Sequence, residues 1–442
     1  MEKRRLCSLL TNSYRTLIST PRFRINNRGL AASRRPSEPR VFPTSGWDSI
    51  DPSVSIEEET IPTYRPEKFY PVHIGEVFNH RYQVVGKLGY GSSATVWLCR
   101  DLLEHRYVAL KVYTASSSVN REIEIYKHLD IIRSDHAGQS CLRPLIEIFQ
   151  TPQSEGHSVH TCLVHPPLGI SLDELAPLLP GGVMSSAMVR TTTRNILAAL
   201  DFLHTEAGII HTDLQPNNIL LGIKDESILS NFETAEFEAP VPRKILEDRT
   251  IYLSRPLPIS YGTPVLCDLG EARLGTDRQQ GDIMPDIYRA PEVILNMTWD
   301  YKVDIWNVGM VIWDLFERRH LFRARNPERN LDDGYHLAEM QAVLGDPPLE
   351  FLARSEKSLE FWDKNGKWKG AAPVPDYDLD ALEERLQAGL AQVAGDEACL
   401  QRSHTPYSIP SVSQISSLFF VSSAHGSGQA SISPYRSTMS DF

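Results

Sequence analysis

Between Tyr82 and Tyr113 three short runs, Tyr82-Gln-Val-Val, Thr95-Val-Trp-Leu and Tyr107-Val-Ala-Leu-Lys-Val-Tyr113, are rich in β-branched and aromatic residues and separated by turn-forming ones. Such residues suit a pleated, half-buried surface, so the runs predict a small antiparallel sheet. Further along the chain the period changes. Val119–Leu129 sets Ile123, Tyr126 and Leu129 at helical spacing, and Met188–Leu203 puts Val189, Ile196, Leu197, Leu200 and Leu203 on one side. Val303–Phe316 is apolar almost all round, and a helix of that kind has to be buried. The expected fold class is therefore α+β: a small sheet followed by a larger helical region.

The flanks have another texture. Residues 1–42 carry nine Arg and one Lys against two Glu, a balance of +8; the chain as a whole is at -11, which leaves -19 on the remaining 400 residues. An Arg-rich, acid-poor start is the composition of a mitochondrial transit peptide, with Leu6, Leu9, Leu10 and Leu17 along one side of a short helix, and equally of a disordered basic tail. Residues 43–78, with Pro43, Pro52, Pro62, Pro66 and the run Glu57-Glu58-Glu59, predict a linker. Residues 395–442 lose periodicity and become Ser-rich, which predicts a disordered tail. The acidic body argues against direct nucleic-acid binding and suits a basic peptide or protein partner. No apolar run approaches the ~20 residues of a membrane helix, so no span is expected. Six scattered cysteines without a C-x-x-C pair argue against zinc sites and a disulfide framework, and fit a reducing compartment.

Five short motifs carry chemistry. His211-Thr-Asp-Leu-Gln-Pro-Asn-Asn-Ile-Leu220 places Asp213 five residues before Asn218 in a loop between apolar runs. Phosphoryl transfer uses such a pair, a carboxylate to accept a hydroxyl proton and a neutral oxygen ligand for the magnesium on ATP. Gly86-Lys-Leu-Gly89-Tyr-Gly91-Ser-Ser-Ala94-Thr-Val96 lies between two strands, and its glycines allow a hairpin to lie close over phosphates. Ala94 stands where a third glycine would complete the pattern, so alone it reads as a generic turn. Lys111 ends an apolar strand; a lone strand lysine usually snorkels to solvent. Cys267-Asp268-Leu269-Gly270 follows the apolar Pro264-Val-Leu and lies upstream of Tyr288-Arg-Ala-Pro-Glu292; the tripeptide alone says little, and its place in that order gives it weight. Asp304 opens the buried helix, and an acid there is costly unless it accepts hydrogen bonds.

In this order the motifs resemble the eukaryotic protein kinase superfamily. The Gly-rich loop with its Val-Ala-Leu-Lys strand, and the Ala-Pro-Glu segment, separate the chain from aminoglycoside and choline kinases. Within the superfamily the chain is similar to the SR-protein-specific kinases, through Thr212 in His-Thr-Asp, the lead-in Tyr70-Pro-Val-His-Ile-Gly-Glu-Val-Phe-Asn-His-Arg-Tyr82, and Leu88-Gly-Tyr-Gly-Ser-Ser-Ala-Thr-Val-Trp-Leu98. The likeness covers roughly residues 68–370. It implies a bilobal fold, with an antiparallel β N-lobe over 79–168 and a mainly helical C-lobe over 169–394 that carries an insert at about 224–258 and a truncated or divergent end; the insert is expected to be a surface excursion. It also implies a serine/threonine kinase using ATP and Mg2+, with Asp213, Lys111 and Gln215 as catalytic residues and Asn218 and Asp268 as metal ligands. Nucleotide contacts are expected from Leu88, Gly89, Gly91, Val96, Ala109, Lys111 and Glu122. Glu122 is the favoured partner of Lys111 and Glu124 the runner-up. By alignment Leu163–Leu168 is the hinge, with His165 as gatekeeper, Pro166 offering its carbonyl and Leu168 its N–H. The expected partner is a protein substrate, arginine/serine-rich in this family, with the kinase itself a monomer. The family points to cytoplasm and nucleus; the Arg-rich start points to the mitochondrion.

Three departures bear on that reading. Gln215 stands where serine/threonine kinases have a lysine beside the γ-phosphate, which keeps a catalytically silent kinase fold, a binding scaffold, as the alternative. Thr212 replaces the arginine that receives an activation-loop phosphate, and Thr276 is the lone Ser/Thr hydroxyl between Gly270 and Pro291, so constitutive activity is expected. No Asp-Pro-x-x-Arg segment follows Glu383, so Glu292 is expected to lack its usual arginine partner. Asp332, Asp333 and Glu339 are candidate readers of arginine in a substrate, but Arg318, Arg319, Arg323, Arg325 and Arg329 share the region.

Overall fold

The structure is a computed structural model that describes residues 36–377 apart from 116–118, 153–157, 276–277 and 318. The basic residues 1–35, Thr276, Arg318 and the Ser-rich tail thus lie outside the described residues. Among the described residues no helix is long and apolar enough to cross a membrane.

Strands β1 (Val77–Phe78), β2 (Tyr82–Tyr90), β3 (Ala94–Asp101), β4 (Arg106–Tyr113), β5 (Glu147–Gln150) and β6 (Thr161–His165) form one antiparallel sheet in the order β1-β2-β3-β4-β6-β5. The three apolar runs are its centre, and period-two alternation sorts their side chains to the two faces. Val84, Trp97, Cys99, Val108, Leu110 and Val112 form the core of one face. Helix α1 (Val119–Ile131) follows β4.

The helical lobe is built on α2 (Ser186–Asp201), whose Ser185 side chain accepts from the Met188 N–H at 3.5 Å. Its buried Val189, Ile196, Leu197 and Leu200 are the stripe read from the sequence, while Leu203 is buried in the turn that follows. Short strands β7 (Ile209–Ile210) and β8 (Ile219–Leu221) flank the 211–218 loop; β8 pairs with β11 (Pro264–Leu266) and β7 with β12 (Arg273–Leu274). The apolar helix α4 (Lys302–Phe316) lies in the lobe's core, and α5 (Asp333–Leu344) follows it.

Two sequence expectations are overturned here. Residues 43–78 are no linker, and residues 36–42 already follow the sheet, with Arg40 N–H donating to Gln83 Oε1 at 2.9 Å. Phe42, Phe69 and Val72 are buried. The triple glutamate forms one 3-10 turn whose carboxylates all have partners: Glu58 on the fully buried Lys87, Glu59 on Lys244 at 2.8 Å, and Glu57 on the Ser254 hydroxyl at 2.7 Å. Nor is the 224–258 insert a surface excursion. It contains α3 (Ser227–Glu238) and the hairpin β9 (Arg243–Ile245) with β10 (Thr250–Tyr252). Leu229 and Phe232 of α3 pack on Val85 and Leu98, and Tyr252 sits edge-on to Trp97 at 5.8 Å. Insert and N-terminal strap also hold each other: Phe42 stacks on Phe237 at 4.5 Å, and Arg243 lies 3.9 Å over the Trp47 ring. The buried charges of this region, Glu58, Lys87, Glu236, Arg243 and Lys244, survive because each is paired.

Gly86 measures how close this contact is. A Cβ on Gly86 would come 2.8 Å from the Phe232 ring. Gly86→Ala should therefore destabilise the protein by roughly 1–3 kcal/mol, the usual cost of overpacking. Phe232→Leu in the same chain should relieve part of that. Thermal unfolding of both single variants and the double variant checks it; strictly additive losses would mean the ring does not rest on β2.

Candidate active site

The sheet register assembles the nucleotide side of the site. One row crosses it as Gly89, Val96, Lys111 and Leu163, and the next row on that face as Leu98, Ala109 and His165. Alternation therefore puts Val96, Ala109 and Lys111 on one face. The Gly91 N–H closes the hairpin on the Ala94 carbonyl at 2.8 Å. Leu88 is half-buried against the cluster that includes Leu229 and Phe232, so the insert walls the outer edge of this face.

Lys111 Nζ lies 3.0 Å from Glu122 Oε2 and 3.4 Å from Asp268 Oδ1. Glu122 is buried whereas Glu124 is exposed, which decides between the two. Burial opposes the lysine's charge, but Asp268 and Glu122 outweigh it and hold the ammonium above its ordinary pKa. In return Lys111 holds the Asp268 carboxyl below the usual carboxylate range, against burial. The pair is charged and fixed.

The catalytic loop hangs from Asp304. That fully buried carboxylate accepts the His211 and Thr212 N–H groups, each at 2.8 Å, and His204 Nε2 at 2.7 Å. Burial would raise its pKa, yet His204 and the remaining donors pull it below the ordinary value. This is the hydrogen-bonding role that makes an acid tolerable in an apolar helix. Two positive-φ residues, Thr212 at +65° and Asp268 at +61°, lie in this region; such backbone is unfavourable for side chains of that kind and needs holding. Asp213 projects from the loop with one oxygen accepting from Gln215 Nε2 and the other from Asn218 Nδ2, both at 2.8 Å. Burial pushes the Asp213 carboxyl upward; His211 and the Asn218 hydrogen bond oppose the shift without cancelling it.

At the hinge His165 is anchored by Nδ1 to the Pro144 carbonyl at 2.9 Å, and burial, then Arg143, keeps its ring neutral. The Pro166 carbonyl accepts from Arg143 Nη2 at 3.2 Å and keeps a second lone pair. The Leu168 N–H has no backbone acceptor among the described residues, while Gly169 N–H donates to Leu221 at 2.7 Å.

Asn218 and Asp268 suit magnesium. The Asn218 NH2 is committed to Asp213, which leaves its oxygen as a ligand, and Asp268 supplies a carboxylate. Hard oxygen donors, few in number, are what Mg2+ takes when phosphates complete its shell. Among the described residues no group of three or more His, Cys, Asp or Glu side chains is placed to hold a metal ion.

The three acids nominated to read a basic substrate are otherwise engaged. Asp332 caps α5 through the Tyr335 N–H at 3.0 Å, Asp333 pairs with Lys357 at 3.0 Å, and Glu339 accepts the Arg323 and Ala324 N–H groups. Glu292 has no ion pair among the described residues. Sequence reasoning missed Glu271, which no motif marks: its carboxylate meets Arg121 at 2.7 Å and its carbonyl accepts from Thr212 Oγ1 at 2.7 Å.

Comparison with known proteins adds the following. The protein kinase domain family matches residues 82–247. A serine/threonine protein kinase of Aspergillus fumigatus is 46% identical over 357 residues, 80% of this chain and 87% of that protein. The serine/threonine-protein kinase SRPK of Physarum polycephalum is 30% identical over 340 residues, 71% of this chain and 78% of its own. A crystallised kinase domain superposes with a TM-score of 0.55 at 24% identity, over 79% of this chain and 93% of that one, a likeness of fold.

Proposed function

The chain belongs to the SRPK-like protein serine/threonine kinases, and from that premise we propose that it phosphorylates serines in arginine-rich segments and does so without prior activation. The observation that carries the reading is the set of groups around Asp213: Lys111 clamped by Glu122 on one side, Asn218 and Asp268 on the other.

In this reading Asp213 takes the proton of the incoming hydroxyl. Its two amide donors fix the carboxylate plane, so the free lone pairs face the substrate without reorganisation. Lys111 offers its ammonium to the nucleotide phosphates and is kept from swinging by Glu122. Gln215 lends a neutral N–H where a lysine would bring charge, so less of the transition-state charge is met by this chain. Magnesium, held by Asn218 and Asp268, would neutralise phosphate charge. The glycine hairpin covers the phosphates with backbone N–H groups.

Unprimed activity is supported by Thr212, an uncharged residue that offers a phosphate no cation and whose hydroxyl donates to the Glu271 carbonyl at 2.7 Å. Arg289, in the same segment, is held by Asp282 at 3.0 Å and Asp286 at 2.9 Å. The RS preference rests on the family and on the acidic body, and the internal engagement of Asp332, Asp333 and Glu339 weighs against those three as the readers.

The test is phosphate incorporation by the full chain, treated with phosphatase beforehand, into an RS-repeat peptide and a Lys/Ser peptide. Faster labelling of the RS peptide is expected. Equal rates would remove the substrate class, and an inactive enzyme would remove the unprimed activity.

A further inference from the structure

Glu271 lies where three parts of the kinase meet. Its backbone carbonyl accepts from Thr212 Oγ1 at 2.7 Å, tying it to the catalytic loop. Its carboxylate accepts from Arg121 Nη1 at 2.7 Å, from α1, and lies 3.6 Å from Arg273 Nη1 of β12, which donates to the Glu271 backbone carbonyl. The neighbours in sequence matter as much. Arg121 directly precedes Glu122, which holds Lys111, and Glu271 directly follows Gly270, whose N–H donates to Asp268 Oδ1 at 3.2 Å. A Cβ on Gly270 would come 3.1 Å from Asp268 Oδ1 and 3.9 Å from Glu122 Oε2, so this strand of chain passes directly beside the Lys111–Glu122–Asp268 triad.

We infer that Glu271 is a positioning residue, a permanent carboxylate that stands between α1 and the loop carrying Thr212 and Asp213, and that it keeps Glu122 on Lys111. This rests on the unprimed activity proposed above and gives it a residue. A carboxylate with two guanidinium groups reproduces, with one negative charge, what a phosphate does with more. The Thr212 end makes the arrangement specific. Thr212 is fully buried and its N–H is fixed by Asp304, so the Glu271 backbone is referred to the core of the helical lobe. The Arg121 end is exposed, with side chains 43% and 58% accessible, so the pair adds little to global stability while still biasing the position of α1. A helix that moves between engaged and released positions responds to such a bias as a change in its engaged fraction.

Glu271→Gln should lower kcat about fivefold, the scale of one exposed ion pair, with the peptide KM unchanged and the melting temperature within a degree or two. Wild-type kcat should fall with added salt while the variant's stays flat, because only the former relies on a screened charge pair. The swapped protein Arg121→Glu with Glu271→Arg should recover most of the rate, whereas each half alone should not. A neutral Glu271→Gln, or a swap no better than its halves, overturns the assignment while leaving unprimed activity intact. The phosphatase-treated wild type, assayed alongside, must be active; if it is not, both the unprimed reading and this one fall.

Discussion

Asp213→Asn is expected to reduce kcat for peptide phosphorylation by roughly 10²–10⁴, the range that a positioned general base supplies. The change is nearly isosteric but chemically awkward here. Both Asp213 oxygens accept amide donors, Gln215 on one and Asn218 on the other, each at 2.8 Å. An amide at position 213 has one oxygen to offer and must turn an NH2 toward one of those donors. Asn218 is the partner with more to lose, since the role proposed for it is to present an oxygen to magnesium. The binding half of the site should survive: Lys111, Glu122 and Asp268 hold one another through their own ion pairs, so nucleotide affinity should stay within a few-fold of wild type. Fluorescent-nucleotide titration beside steady-state kinetics checks both halves. A variant that keeps its kcat would remove Asp213 from the chemistry, and with it the assignment of the loop. In the wild type, the acid limb of the kcat profile should lie above the ordinary Asp range, because burial raises the Asp213 carboxyl and the rate needs it ionised.

What could be read from residues alone divides by distance along the chain. Asp213, Gln215 and Asn218 fall within six residues, and Asp268 with Gly270 within three, so local pattern carried their proximity. Lys111 and Glu122 were legible because a strand end and a helix start eleven residues apart have few ways to meet. The strap and insert were not. Proline, glutamate and serine between residues 43 and 70 have the composition of a linker, and nothing local says that Glu59 will find Lys244 or that Glu57 will find Ser254. Buried charge pairs formed at that separation leave no period in the sequence. Glu271 was hidden for a related reason: one exposed glutamate among many acquires meaning only once Thr212 and Arg121 are beside it. The acids expected to read a substrate look available in sequence, whereas the fold gives them a cap, an ion pair and backbone donors to accept.

Glu292 carries the second large expectation. Its side chain is buried, Oε2 has no hydrogen-bond partner among the described residues, and burial pushes its carboxyl up to about 7. Its own backbone N–H, then Arg354 and Lys302, draw it down, and Asp300 pushes it up. Arg354 is not a partner in contact, since its guanidinium donates to the Thr298 carbonyl at 2.8 Å and lies over Phe351. The sign follows from linkage. Between the ordinary value of 4.5 and about 7 the folded protein keeps a proton that the unfolded chain releases, so stability falls as pH rises through that window. Above it the loss reaches about 3 kcal/mol, at 1.36 kcal/mol per pKa unit. Glu292→Gln is neutral at every pH and nearly the same shape. It should therefore unfold like wild type at pH 4.5 and be more stable by up to about 3 kcal/mol at pH 8, measured by urea denaturation at both values. Kinase resemblance predicts the reverse, because a glutamate paired with an arginine loses stability when neutralised. A Glu292→Gln variant weaker than wild type at pH 8 would mean that a cation from beyond Tyr377 does reach this carboxylate; one stronger there would mean that the lobe closes without it.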